Sequence, residues 1–143
     1  MTLTRRYRFS ASHRLHSPML SVEANEQVYG RCNNPFGHGH NYVLEVSVSG
    51  PVDPRTGRVV ALSDLDALVH KHVLAIYDGS YMNVDIDTFQ GDVVPTTENV
   101  AVDIRRRLEA QWPPHGPAWL HTANPPRLTG VRLYETRKNI FDN

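Results

Sequence analysis

Apolar and polar residues alternate along three stretches of this chain, and a period of two is typical of a β-strand with one buried face. The first stretch covers residues 3–11, the second covers residues 40–49, and the third is centred on Val131 and Leu133. We expect a short strand over residues 139–141 to follow the third. The pattern therefore predicts four strands. The apolar face of the first strand consists of Leu3, Tyr7, Phe9 and Ala11.

Two further stretches carry apolar residues at the spacing of an amphipathic helix. We expect Ser63 to cap the first helix, and Asp66 three residues later completes a capping box. Asp78 and Gly79 end that helix. The second helix has Thr96 as its N-cap and stops at a pair of prolines. The apolar stripes are Leu65, Leu68, Val69, Val73 and Ile76 in the first helix and Val100, Ala101, Ile104 and Leu108 in the second.

The remaining segments follow no period. Residues 14–37 carry Gly30 and Gly37 and are predicted to form a long ordered loop, a kind of segment that is usually functional in a compact domain. Residues 113–127 are rich in proline and glycine and are predicted to form a second loop. The order β-β-α-α-β-β then predicts an α+β fold, with an antiparallel sheet and two helices on one face.

The composition narrows the class of protein. A chain of 143 residues has the size of one domain, and we expect residues 1–143 to form a single one. Lys and Arg balance Asp and Glu at 15 each, so charge gives no reason to expect a nucleic acid or a membrane as partner. No apolar run approaches the length needed to span a bilayer. Cys32 is the single cysteine, and a reducing, cytoplasmic setting is therefore expected.

Three of the eight histidines form the most informative pattern. His38 and His40 lie at the start of the second alternating stretch. If the strand begins as early as His38, both imidazoles share a face, because residues two apart in a strand do so. His13 follows the first predicted strand and could supply a third nitrogen. Three protein ligands leave one tetrahedral position open, which is typical of catalytic rather than structural zinc. Spacing alone leaves open the alternative that these are ordinary surface histidines.

Cys32 and Glu135 are candidate functional residues because of their neighbours in the sequence. Cys32 precedes the histidine pair in a polar loop, and a thiol near a metal or a cation can act as a general base or a nucleophile. A buried, inert thiol is the alternative. Glu135 shares a face with apolar residues of the third strand, where a carboxylate needs a partner. Either a heterocycle with adjacent N–H groups or an arginine would satisfy it.

Six motifs in this chain resemble the 6-pyruvoyl-tetrahydropterin synthase family, and they occur in the family's order over most of the sequence. The match is closer to the pyruvoyl type than to the related 6-carboxytetrahydropterin synthases. Only the proline-rich segment and the short C-terminus look unlike the family. The motifs are FSASHRL at 9–15, GRCNNP at 30–35, GHGHNY at 37–42, DPRTG at 53–57, TTENVAV at 96–102 and YET at 134–136.

This resemblance implies a tunnelling fold (T-fold), in which a four-stranded antiparallel sheet carries two helices on one face. Subunits join edge to edge into an oligomeric barrel, which answers the problem of an exposed sheet edge. The implied assembly is a homohexamer of two trimeric rings with sites between subunits. The implied activity is a lyase of tetrahydrobiopterin biosynthesis, which converts 7,8-dihydroneopterin triphosphate to 6-pyruvoyl-tetrahydropterin with loss of triphosphate.

The resemblance also implies a role for each candidate residue. Zn²⁺ would polarise side-chain oxygens of the substrate and acidify the neighbouring C–H bonds. Cys32 would move protons as a general base with the help of Asp78, and Glu135 would pair with the amino-pyrimidinone edge of the pterin. The zinc ligands would be His13, His38 and His40, and the pterin pocket would be lined by Thr96, Thr97 and Glu98.

One departure from the family pattern bears on the reaction. The family carries Asp-His after the first helix, whereas this chain has Asp78-Gly79. An acid–base partner typically contributes about 10²–10⁴-fold in rate. Without the histidine, the sequence leaves open whether the chain catalyses the family's reaction, a different one or none. The alternatives are a 6-carboxytetrahydropterin synthase-type or otherwise diverged cleavage of the pterin side chain, and a pterin-binding homologue without turnover. A generic zinc hydrolase ranks last, because the sequence offers no obvious glutamate base beside the histidines.

Overall fold

The computed structural model describes residues 1–114 and 124–143, and these contain one antiparallel sheet with the strand order β1-β2-β3-β4. The predicted strands are confirmed, and the first two extend further than the alternation does, so that β1 also includes His13 and β2 also includes His38. The strands are β1 (Thr2–His13), β2 (His38–Ser49), β3 (Arg127–Tyr134) and β4 (Ile140–Asp142).

The segment between β1 and β2 is not the loop predicted for residues 14–37. It contains α1 (Val22–Tyr29) and a 3₁₀ turn (Gly30–Asn33). The side chain of Asn25 is fully buried, and its amide donates to the carbonyl of Ser17 at 2.9 Å. Apolar periodicity cannot reveal α1, because its one buried residue is this polar asparagine.

Two longer helical segments pack on one face of the sheet, as predicted. The first runs without a break from α2 (Leu62–Val69) through a π-helical turn (His70–Leu74) to α3 (Ala75–Tyr77). The second is α5 (Thr97–Glu109), and the short helix α4 (Met82–Asp85) lies between them in the chain.

The N-terminus of α2 differs from the predicted capping box. Ala61 occupies the N-cap position in place of Ser63, and no side chain caps the helix. Asp66 instead accepts hydrogen bonds from Arg5 Nε at 2.8 Å and from the Tyr7 hydroxyl at 2.9 Å. A charge-assisted arginine–carboxylate contact is stronger than a neutral hydrogen bond. The carboxylate of Asp66 therefore joins α2 to β1.

The core lies between the inner face of the sheet and the two helical segments. The rings of Phe9 and Tyr42, on neighbouring strands, stack with centroids 5.0 Å apart. The apolar stripes of both predicted helices face this layer. Its buried members include Phe9, Ala11, Tyr42, Leu44, Val46, Val131 and Leu133 from the strands and Leu65, Val69, Val73, Val100, Ile104 and Leu108 from the helices.

Asp103 is a buried carboxylate that ties α5 to the neighbouring elements. It is 2% exposed and accepts hydrogen bonds from the Tyr77 hydroxyl and the Thr88 hydroxyl, each at 2.6 Å. Arg106 and Arg107 also donate to it at 2.6 Å. Burial alone would raise the pKa of Asp103, but these four donors lower it to about 2.

No helix within residues 1–114 or 124–143 combines the length and the hydropathy needed to cross a bilayer. The predicted loop over 113–127 falls mostly on residues 115–123, which lie outside the described residues.

Candidate functional site

The three histidines predicted as metal ligands lie together at the end of the β1–β2 ladder. His13 pairs with His38 across the strands and His40 pairs with Ala11, so the three imidazoles share one face of the sheet. The Nε2 atoms of His13 and His38 are 3.2 Å apart, and the three potential ligand atoms lie within 4.8 Å of one another. Since tetrahedral zinc–nitrogen bonds of about 2.0–2.1 Å place ligand atoms about 3.4 Å apart, this spacing suits one ion.

Two of the imidazoles, those of His13 and His38, are held in the neutral form that binds metals. His13 is fully buried, and because a carbonyl can only accept, its Nδ1–H donates to the Pro95 carbonyl at 2.8 Å. That bond leaves the Nε2 lone pair facing the cluster. Burial lowers the pKa of His13 to about 4, and burial with the nearby His40 lowers the pKa of His38. Nε2 of His40 is buried without a hydrogen-bond partner among the described residues, which fits a site for a cation.

Gly37 allows β2 to begin close beside β1. Its φ is +70°, and a Cβ at this position would come within 2.9 Å of the His13 carbonyl oxygen. Both the left-handed backbone and the close approach require glycine. Gly37 therefore helps to set the register that brings His38 opposite His13.

Glu135 directly follows β3, and its carboxylate faces the histidines. Oε1 lies 3.6 Å from Nε2 of His13 and 3.6 Å from Nε2 of His40. The side-chain amide of Asn139 donates to Oε2 at 3.0 Å. Burial opposes ionisation of Glu135, but hydrogen bonds from Asn139 and Thr97, together with the nearby histidines, lower its pKa below the ordinary value. Glu135 is therefore a carboxylate at neutral pH.

Cys32 is held near this cluster by the 3₁₀ turn that follows α1. Its carbonyl accepts from the backbone N–H of Leu15 at 2.8 Å, so the turn lies beside the residues that follow β1. The side chain is partly exposed, in keeping with its predicted place in a polar segment. Burial and the negative charge of Glu135 raise the pKa of Cys32. In the isolated subunit the group is therefore a protonated thiol at neutral pH.

Asp78 lies at the outer edge of β1 and is not brought to Cys32. Its Oδ1 accepts from the backbone N–H of Ser10 at 2.9 Å, and the N–H of Gly79 donates to the Ser10 carbonyl at 2.7 Å. Within residues 1–114, no hydrogen bond or ion pair joins Asp78 to Cys32.

Gly79 leaves open space where the family pattern has an imidazole. Its φ is +76°, and a Cβ there would meet no atom of the described part of the chain within 4 Å. Gly79 borders an open cavity of about 320 Å³, which Ser10, His40 and Asn41 also line.

The predicted pocket residues Thr96, Thr97 and Glu98 form the start of α5. The Thr96 hydroxyl accepts from the N–H of Asn99 at 3.4 Å, so the predicted N-cap is confirmed. Thr97 is buried, and its side chain contributes to the lowered pKa of Glu135. Glu98 is exposed. Of the three, Thr97 is the residue that the fold joins to the histidine cluster.

The sequence analysis did not identify three residues of the site. Pro95 contributes through its carbonyl, and a backbone group leaves no signal in the residue type. Asn139 bonds Glu135 across the predicted β3–β4 hairpin, where pairing could have identified it. Tyr42 places its ring 5.7 Å from that of His40, and the two-residue spacing on one strand was the available signal.

The fold is a T-fold, with a four-stranded antiparallel sheet and helices on one face. The three histidines at the paired ends of two strands form a candidate metal centre. The chain belongs to the 6-pyruvoyl tetrahydropterin synthase family, whose family model matches residues 2–142.

Individual relatives agree with this assignment over nearly the whole chain. The 6-pyruvoyl tetrahydrobiopterin synthase of Poecilia reticulata is 44% identical over 96% of this chain and 86% of its own length. The enzyme of the same name from Homo sapiens is 43% identical over 96% of this chain and 87% of its own length. The solved structure of Caenorhabditis elegans 6-pyruvoyl tetrahydropterin synthase superposes with a TM-score of 0.87 and 38% identity. That superposition covers 100% of this chain and 94% of the other.

Proposed function

We propose that this protein is a zinc-dependent lyase that converts 7,8-dihydroneopterin triphosphate to 6-pyruvoyl-tetrahydropterin with loss of triphosphate. The names of its relatives support the pyruvoyl-pterin product. The observation that carries the proposal is the cluster of His13, His38 and His40, with the carboxylate of Glu135 against it and Cys32 nearby. A protein that only binds a pterin has no need of this complete set. We also propose that residues 1–143 act as one T-fold domain.

The metal of this proposal is zinc, held by the three imidazoles. Three nitrogen ligands with one open position are typical of catalytic zinc. When bound, zinc would supply Lewis acidity to the oxygens of the substrate's side chain. The Pro95 carbonyl would fix the ring of His13 in the orientation that presents Nε2.

Pterin recognition is proposed for Glu135 and the start of α5. Glu135 is ionised, and a carboxylate can accept two adjacent N–H donors from the amino-pyrimidinone edge. Thr97, buried beside it, would fix the carboxylate, while Thr96 and Glu98 would line the pocket. Since Glu98 is exposed in the single subunit, its contribution would be made where a neighbouring subunit closes the pocket.

Proton transfer is proposed for Cys32. Its raised pKa means that it must lose its proton to act as a base, and a cation bound at the neighbouring histidines would favour the thiolate. Asp78 would assist from another subunit, because within one subunit it bonds to Ser10. The second candidate function is a diverged cleavage of the pterin side chain, or pterin binding without turnover. The open space beside Gly79 favours it.

We propose a homohexamer of two trimeric rings with the sites between subunits. Its support is the outer edge of β1 before Ser10, which pairs with no strand among residues 1–114 and 124–143, and the exposure of Phe36, which is 92% exposed just before the histidine pair. We also propose a reducing, cytoplasmic compartment, because Cys32 is the single cysteine of the chain.

The experiment supplies 7,8-dihydroneopterin triphosphate to the zinc-loaded protein and measures released triphosphate and the pterin product. The Cys32→Ala variant is the matched control. Triphosphate release that depends on Cys32, with a pyruvoyl product, is the expected result. A different pterin product would establish the diverged cleavage, and tight pterin binding without turnover would establish the binder.

A further inference from the structure

The hydroxyl of Tyr42 is a buried polar group without a hydrogen-bond partner. The residue is 1% exposed, and its phenol oxygen makes no hydrogen bond to any residue within 1–114 or 124–143. A buried hydroxyl normally has a partner, because the hydrogen bonds that it made to water in the unfolded chain are otherwise lost. A phenylalanine would fill the same space without this cost. The hydroxyl of Tyr42 therefore needs an explanation other than packing.

The ring of Tyr42 is held in one orientation by its neighbours. It stacks on Phe9, its partner on β1, with the ring centroids 5.0 Å apart and the ring planes 15° from parallel. It also meets His40 edge-on at 5.7 Å and His13 edge-on at 6.4 Å. Because a ring packed this closely cannot turn freely, its hydroxyl keeps one direction.

That direction brings the hydroxyl to the candidate site. Tyr42 follows His38 and His40 on the same face of β2, since residues two apart in a strand share a face. Burial raises the pKa of Tyr42, and the charges of Glu135 and Cys32 raise it further. Charges act on a group in this way only when they are near it. The phenol thus lies near Cys32 and keeps its proton at neutral pH, so it is an O–H donor.

Two buried polar atoms on this face of β2 have no partner among the described residues, and they call for different ones. Nε2 of His40 is explained by the proposed metal. The Tyr42 hydroxyl needs an acceptor that lies beside both the histidines and Cys32. The oxygens of the pterin side chain are such acceptors, because the proposed reaction takes place on that side chain and requires it to reach both groups.

We propose that the Tyr42 hydroxyl donates a hydrogen bond to an oxygen of the pterin side chain, where that side chain meets the histidine cluster and Cys32. This inference rests on the proposed function. The oxygen gains negative charge as a proton leaves the neighbouring carbon for Cys32, so the hydrogen bond strengthens as the reaction proceeds. Tyr42 would thus bind the substrate and favour pterins whose side chain carries an oxygen at this place.

The test compares wild type with Tyr42→Phe in the binding of two ligands, neopterin and pterin. Neopterin carries a hydroxylated side chain at position 6 and pterin carries only hydrogen there, so the ratio of their dissociation constants reports on the side chain alone. Tyr77→Phe is the matched control, because Tyr77 is also fully buried but its hydroxyl donates to Asp103 at 2.6 Å. Metal content per chain, the unfolding midpoint and the rate of triphosphate release are measured for all three proteins.

We expect Tyr42→Phe to lower the preference for neopterin over pterin roughly 3- to 10-fold, the usual net effect of one hydrogen bond. Triphosphate release should slow by roughly 10²–10³-fold, the usual cost of removing one donor to a developing negative charge. Metal content should not change, and the unfolding midpoint should stay the same or rise, because an unpartnered hydroxyl is removed. Tyr77→Phe should show the reverse, with a lower unfolding midpoint and an unchanged preference and rate.

The outcomes separate this inference from the proposed function. Wild-type protein that binds neither neopterin nor pterin would overturn the proposed function itself. If wild type binds both ligands and Tyr42→Phe keeps the wild-type preference, the contact with the side chain is refuted. An unchanged preference together with a lower unfolding midpoint would assign the hydroxyl to an internal water instead. A lowered preference supports the contact even in a protein without turnover.

Discussion

His13 lies directly opposite His38 in the last residue pair of the β1–β2 ladder, with their Nε2 atoms 3.2 Å apart. The geometry of the candidate metal centre is therefore set by strand pairing rather than by a flexible loop. A ladder of twelve residue pairs anchors it, and Gly37 permits the close start of β2. Loss of one imidazole should thus remove a ligand without disturbing the other two.

Replacement of His38 by alanine should abolish stoichiometric metal binding. A ligand contributes more than the outer-shell groups whose loss costs about 10–100-fold in affinity, so we expect a loss of at least roughly 100-fold. Metal content per chain after dialysis is the measurement. His70→Ala is the control, because His70 is exposed on the π-helical turn. One equivalent of zinc retained by His38→Ala would refute the ligand assignment.

Replacement of Cys32 by alanine or serine should remove turnover while pterin affinity is retained. Loss of a general base typically costs about 10²–10⁴-fold in rate. Cys32 is partly exposed, and its contact with Leu15 is made by the backbone carbonyl rather than by the thiol, so both variants should fold. Triphosphate release and neopterin affinity are measured in parallel. Turnover equal to that of wild type in both variants would exclude Cys32 from the mechanism.

Replacement of Gly79 by histidine should raise pyruvoyl-forming turnover, by up to about 10²–10⁴-fold if the missing imidazole limits the reaction. Space is available, since a Cβ at Gly79 meets no atom of the described residues within 4 Å. The φ of +76° makes any side chain cost about 1–2 kcal/mol of stability.

Gly79→Asn is the control for that substitution, because asparagine introduces similar backbone strain without an imidazole. Initial rates of triphosphate release are compared for both variants and wild type. Equal rates in the histidine and asparagine variants would mean that another group already moves the proton.

Replacement of Asp103 by asparagine should destabilise the fold by about 3 kcal/mol at neutral pH, because two arginines lose their buried carboxylate partner. Chemical unfolding of the metal-free protein is the measurement. Asp92→Asn, at an exposed position, should leave the unfolding free energy within about 0.5 kcal/mol of wild type.

The stability supplied by Asp103 should also depend on pH. Its folded pKa of about 2 lies below the ordinary 3.8, so its contribution is present above pH 3.8 and is lost as pH falls towards 2. The difference between the two values corresponds to about 2 kcal/mol. The gap in unfolding free energy between wild type and Asp103→Asn should therefore narrow between about pH 5 and pH 2. A gap that stays constant over this range would show that the carboxylate's charge does not matter.

Local patterning predicted those parts of the fold that repeat along the chain. Alternation found the strands, and the stripe that includes Leu65 and Val73 found the first helical segment. It could not find α1, whose buried residue is Asn25, because hydrogen bonds to neighbouring backbone rather than apolar contacts hold that helix in place. It also misplaced Asp66, which bonds to Arg5 on a distant strand instead of completing a cap.

The candidate site also has one part that the sequence predicted and another that it could not predict. The two-residue spacing of His38 and His40 predicted a shared face on the condition that the strand begins at His38, and β2 does begin there. Other features of the site depend on long-range contacts. His13 pairs with His38 across two strands, and the Pro95 carbonyl bonds to His13. The carboxylate of Glu135 approaches both His13 and His40. The sequence alone thus determined which residue types were available and which neighbours shared a face. The tertiary structure decided which atoms converge, because burial and strand register act between residues that are far apart in the chain.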